Sequence, residues 1–152
     1  MIWICIAALA CIWIAVEDIH SREISIWPIL LIAISGAFQG YDSWMFAFNS
    51  IFNLGLLLCI LLSLKGFYWL KGEYTLMDEK LGWGDVCLLV AFALWLSPEW
   101  FLYFFIITNV IALTFTLIVK WVHEVETVPL GAYLGLVFVG LHVLNLFSLI
   151  HL

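Results

Sequence analysis

Long apolar runs, separated by a handful of short polar stretches, dictate what this chain can become. Of its 152 residues, 66% are hydrophobic and only 11% are charged. A soluble domain of this size has too little interior to hide so much apolar side chain, so a bilayer must act as its solvent. In hydrocarbon every backbone polar group needs an internal partner, which leaves helices or a closed barrel. The apolar runs lack the period-2 alternation of barrel strands. The expected fold class is therefore all-α, a polytopic membrane protein.

Hydropathy divides the chain into six transmembrane helices, at 2–17, 24–40, 44–64, 82–97, 100–119 and 128–150. No repeat, linker or low-complexity segment interrupts them, so residues 1–152 are expected to form a single domain. The first run lacks a basic leading region and an A-x-A-like cleavage site, and is expected to persist as a helix rather than be removed as a signal peptide. The 5 basic residues, Arg22, Lys65, Lys71, Lys80 and Lys120, all fall in the first, third and fifth connections. The second and fourth connections carry only acids, Asp42 and Glu99. The positive-inside rule then puts the odd connections in the cytoplasm and both termini outside. Trp44, Trp69, Trp100 and Trp121 sit at expected helix ends, where interfacial anchors belong. The fourth apolar stretch, Val86–Leu96, covers only about 16 Å as a helix, against about 30 Å of hydrocarbon. Either that helix is mismatched or Gly82–Asp85 dips into the membrane and carries Asp85 below its surface.

The net charge of −6 argues against nucleic acid as a partner. Cys5, Cys11, Cys59 and Cys87 lie in apolar segments without a C-x-x-C pair, and are expected to be buried small hydrophobes. No His/Cys spacing suggests a zinc site, no Ser/His pair suggests a serine nucleophile, and neither metal nor cofactor is expected. Asn49, Asn53, Asn109, Asn145 and His142 are expected to hydrogen-bond between helices. His20 and His123 belong to cytoplasmic connections and need no partner beyond water.

Two carboxylates stand out against this background. Asp18 ends the first apolar run, in A-V-E-D-I-H-S-R-E-I, and Asp85 opens the fourth, in L-G-W-G-D-V-C-L-L. Ionisable groups at a membrane border are costly and are functional candidates for that reason. Each has an ordinary alternative. Asp85 could simply cap a helix behind two turn glycines. Asp18 could be an interfacial carboxylate beside Glu17 and Glu23, paired with Arg22. The expected topology puts both at one face on different helices, as an acid/base dyad requires. Gly82 and Gly84 give the backbone access to positive φ or let another chain come close. In a dyad one carboxylate takes a proton from water while the other, protonated, hydrogen-bonds the scissile carbonyl. Helix fields suggest Asp85, at a helix N-terminus, as the anion, and Asp18, at a C-terminus, as the acid.

These segments resemble the type IV prepilin peptidase family, membrane aspartyl proteases with a G-x-G-D motif. Asp18-Ile19-His20-Ser21-Arg22-Glu23-Ile24 is similar to the family's first-Asp segment, and Gly82-Trp83-Gly84-Asp85-Val86-Cys87-Leu88 to the second-Asp motif. Pro129-Leu130-Gly131-Ala132-Tyr133 resembles the P-F-G-P stretch that opens the last helix. The chain departs from the pattern in three places. Ser25-Ile26 replaces the usual Pro-Asn, with Pro28 displaced; Cys87 replaces a Lys; Ala132 replaces the second Pro. The N-terminal, cysteine-bearing methyltransferase region of long members is also missing, so the resemblance implies a peptidase-only form without zinc.

The resemblance implies catalytic Asp18 and Asp85 and an endopeptidase of a prokaryotic cytoplasmic membrane. Its substrate would be a prepilin or pseudopilin of a pilus or secretion system. The cut would follow a glycine between a basic leader and a hydrophobic helix, at the cytoplasmic face. Acids outnumber bases in the expected cytoplasmic connections, so a basic leader would be attracted there. Two rivals fit the same hydropathy. An inactive scaffold would keep the fold without needing apposed carboxylates. A proton- or cation-coupled transporter would favour carboxylates nearer the midplane and inverted repeats, which the sequence lacks.

Overall fold

A computed structural model describes residues 2–21, 23–40, 44–72, 82–122 and 130–146. These form six helices: α1 (Ile2–His20), α2 (Ile26–Gly40), α3 (Trp44–Leu70), α4 (Trp83–Ala93), α5 (Pro98–Val122) and α6 (Leu130–Leu146). The fold is all-helical. Three helices, α1, α3 and α5, are long and apolar enough to cross a bilayer; α2, α4 and α6 are shorter apolar helices.

Helix limits differ from hydropathy where polar residues continue a helix. α1 runs on to His20 and α3 to Leu70, so Asp18, His20 and Lys65 are helical rather than in connections. α5 starts at Pro98, a residue suited to a first helical position because its missing N–H would find no partner there. It continues through Lys120 to Val122. Arg22, Asp42, Glu73, Asp78, Glu79, Lys80, His123, Glu124 and Glu126 lie outside the described residues.

α1 packs most extensively on α6 and α2. Its buried face runs Ala7, Cys11, Ile14 and Asp18, a spacing of three and four that keeps all four on one side. Cys11 meets Gly135 of α6 so closely that a Cβ there would stand 3.0 Å from the Cys11 carbonyl oxygen. Small residues let two backbones approach like this in a membrane bundle. Phe92 of α4, Phe104 of α5 and Phe138 of α6 interlock beside them as the aromatic centre of the core. Much of α3 and α5 instead presents Ile51, Leu58, Leu62, Leu113 and Leu117 outward, a surface suited to lipid.

α4 is only 11 residues long, and its end is secured by neighbours. Asn53 of α3 donates to the carbonyls of Ala93 (3.0 Å) and Leu96 (2.7 Å), groups that a helix terminus leaves without internal partners. Trp95 donates its indole N–H to Ile32 of α2 at 2.8 Å. A cavity of about 170 Å³ opens at this end of the bundle, beside Gly36, Asn49, Ser50 and Ser97. Asn53 therefore bonds between helices as expected. Asn109 and His142 do not, since each bonds the carbonyl four residues earlier in its own helix. Asn49 lines the cavity, and the side chain of Asn145 lies outside the described residues. Of the cysteines, Cys11 is buried, whereas Cys5, Cys59 and Cys87 are exposed on outward helix faces, contrary to expectation.

Candidate active site

Asp18 lies in the last turn of α1, where the buried face that packs on α6 continues to the helix end. It is only 6% exposed. Its Oδ2 accepts a hydrogen bond from the backbone N–H of Ala132, at 2.8 Å. Ala132 is in the first turn of α6, where amide hydrogens have no partner within the helix. Gly131, one residue earlier, faces the same carboxylate. A Cβ added there would lie 3.2 Å from Asp18 Oδ2 and 2.5 Å from Ile24 Cδ1. A larger residue here would push aside the end of the Ile24 side chain and crowd the carboxylate.

That contact brings a second helix terminus to Asp18. The α1 C-terminus alone suggested Asp18 as the acid. The structure also sets the N-terminal end of α6 and a donated N–H against its carboxylate. Meanwhile the α1 carbonyl of Glu17 is occupied by the Ser21 amide (2.8 Å) and hydroxyl (2.9 Å).

Asp85 is in the first turn of α4 and half-buried. It does not cap the helix. Gly82 is the N-cap residue, in extended conformation with φ −66°, and no side chain bonds there. The Gly82 carbonyl accepts from the amides of Asp85 (3.1 Å) and Val86 (3.3 Å). Of the two uses open to the motif glycines, positive φ is not the one taken; among the described residues Gly72 has it, at 79°. Gly84 serves closeness: a Cβ there would lie 3.2 Å from Ile24 Cβ, whereas one on Gly82 would make ordinary contact, 3.4 Å from Asp85 Oδ2.

The two carboxylates lie around one residue: Ile24 touches Gly84, next to Asp85, and Gly131, which faces Asp18. Two acids that share a site resist ionising together, which divides them into a proton holder and a proton acceptor. No group of three or more His, Cys, Asp or Glu residues with metal-binding geometry occurs among the described residues.

Ile24 joins the parts, since it touches Gly84 at the start of α4 and Gly131 at the start of α6. It is held by its neighbour. Ser25 donates its amide (3.0 Å) and hydroxyl (2.7 Å) to the Glu17 carboxylate, which also accepts the Trp13 indole N–H at 2.7 Å. The sequence directed attention to Asp18, Asp85, Gly82 and Gly84, but not to Glu17, Ile24 or the Ala132 amide. Glu17 looked like one more interfacial acid, Ile24 like any apolar residue, and a backbone N–H leaves no mark in a sequence. The available signal was that Ser25 and Ala132 stand at departures from the family pattern.

A family model described as the type IV leader peptidase family matches residues 5–117. No curated protein and no solved structure matches the chain. The matched segment begins in α1, ends within α5 and stops short of α6. Because it takes in both carboxylate segments and most of the chain's length, the chain belongs to the type IV leader peptidase family, and with it to the proteases.

Proposed function

We propose that this protein is a six-span membrane aspartyl endopeptidase that removes the basic leader of prepilin-like proteins at the cytoplasmic face. The observation that supports it best is that Asp18 and Asp85, on helices far apart in sequence, stand beside Gly131 and Gly84, two glycines that pack on the same residue, Ile24. In this mechanism Asp18, held as the anion by the α6 N-terminus, takes a proton from the attacking water. Asp85 donates a hydrogen bond to the scissile carbonyl and steadies the tetrahedral intermediate. The proton taken by Asp18 then passes to the leaving amine. A half-buried site at a bundle end admits water from one side and suits a substrate cut where its leader meets a hydrophobic helix.

A cleavage assay tests this with the purified chain in lipid and a prepilin-class substrate: basic leader, glycine, then hydrophobic helix. Wild type should release the leader. Asp18→Asn and Asp85→Asn should each reduce cleavage to background while keeping wild-type membrane insertion, because a dyad fails when either member is lost. Full activity in either variant would end the dyad model. Raising the salt should weaken apparent substrate affinity more than turnover, since screening acts on attraction between leader and protein.

A further inference from the structure

The Glu17 carboxylate has no step in the cleavage chemistry, yet it collects hydrogen bonds from Trp13 Nε1, Ser25 N and Ser25 Oγ, all within 3.0 Å. An isolated interfacial acid would be satisfied by water, so this convergence needs a reason. The bonds to Ser25 close the connection between α1 and α2 into a loop whose ends are eight residues apart. Inside the loop, Ser21 ties back to the Glu17 carbonyl, so both the side chain and the backbone of Glu17 are engaged.

Ile24 is the residue this closure fixes. It precedes Ser25 directly, and it is where the α1–α2 loop meets the first turns of α4 and α6. Its Cβ would be 3.2 Å from a Cβ on Gly84, and its Cδ1 would be 2.5 Å from one on Gly131. Gly84 adjoins Asp85, and Gly131 adjoins the Ala132 amide that holds Asp18. If the loop loosens, Ile24 shifts and both helix starts lose the surface that registers them against α1.

We propose that Glu17 is a positioning residue for the carboxylate pair: by holding Ser25 it seats Ile24 between Gly84 and Gly131, and so sets Asp85 and Asp18 against each other. Glu17 touches no reacting atom. Its effect passes through Ile24 and belongs to the turnover step rather than to substrate binding. The inference rests on the protease reading for its kinetic consequence, whereas its structural consequence can be measured without any substrate.

The experiment uses the full chain in lipid nanodiscs, comparing wild type with Glu17→Ala, Glu17→Gln and Ser25→Ala. Two quantities are read: kcat and KM on the prepilin-class substrate, and hydrogen–deuterium exchange in segments 19–26 and 131–133. Displacing a catalytic group by about 1 Å can cost roughly 100-fold. Glu17→Ala should lower kcat by about 10- to 100-fold with KM kept within about twofold. It should also speed exchange in both segments, because releasing Ile24 frees the Ala132 amide from Asp18. Glu17→Gln, whose amide oxygen still accepts from the Ser25 amide, should fall between wild type and Glu17→Ala. Ser25→Ala, which spares the backbone bond, should do the same.

Wild-type kcat in Glu17→Ala would overturn the proposal. So would faster exchange confined to segment 19–26, which would make Glu17 a local loop staple. If Glu17→Ala fails to accumulate in the membrane, Glu17→Gln and Ser25→Ala decide on the same two readouts. If wild type leaves the substrate uncut while exchange changes in both segments, the protease reading fails and the positioning role stands.

Discussion

At residue 132 one backbone hydrogen decides what Asp18 experiences. The P-F-G-P stretch that Pro129–Tyr133 resembles would put proline there, with no N–H to give, whereas Ala132 donates to Asp18 Oδ2 at 2.8 Å. Alanine thus adds a donor to the Asp18 carboxylate. A hydrogen bond to a charged group contributes about 1.5–3 kcal/mol, equivalent to roughly 10- to 100-fold in rate if it is needed in the transition state. Ala132→Pro should therefore slow cleavage by about that factor without disrupting α6, since proline is tolerated in a first helical turn. Ala132→Gly keeps the N–H and should stay within about threefold of wild type, a smaller loss than that of one charge-assisted bond. Side-by-side rate measurements on the two variants check this. Equal rates would show that the bond does not matter for turnover.

Between elements, Ile24 is the contact to probe. Gly131→Ala meets the far end of the Ile24 side chain, at Cδ1, whereas Gly84→Ala meets its Cβ, which cannot move without the backbone. Ile24→Val removes Cδ1 and keeps Cβ. It should therefore rescue part of the activity lost in Gly131→Ala and little of that lost in Gly84→Ala, an asymmetry that cleavage rates of the double variants can reveal. Asn53 gives a stability counterpart at the other end of α4. Asn53→Leu leaves the carbonyls of Ala93 and Leu96 without their donor and should cost about 1–3 kcal/mol, read from unfolding of the detergent-solubilised protein. How far such features are legible in sequence depends on which groups make them. The apolar runs gave the helices, because hydrophobic length has one meaning in lipid. Asp18 and Asp85 were visible because carboxylates are rare at such positions. The limits of α1 and α3 shifted because His20 and Lys65 continue a helix as readily as they leave it. Of the two reasons a glycine could be needed, positive φ or close approach, the sequence could not choose. A glycine reports only that something needs it, and the reason, here the approach of Ile24, lies in a segment far away along the chain.

On the scale of the whole molecule, the expected arrangement sets Lys71 and Glu99 on opposite sides of the membrane, from the one-sided placement of the basic residues. Both are exposed. Single cysteines at these positions, in a background without Cys5, Cys11, Cys59 and Cys87, should react with an impermeant thiol reagent from opposite sides of oriented vesicles. Labelling of both from one side would exclude the six-span arrangement. The contact between Asp18 and Ala132 joins residues 114 apart, on the first and last helices. A chain emerging from the ribosome makes α1 well before α6, so the bond from Ala132 to Asp18 can form only when α6 inserts. The order of synthesis thereby acts as a timer: both acids are made before the amide that donates to one of them, and the local structure around Asp18 is finished by a segment made after them.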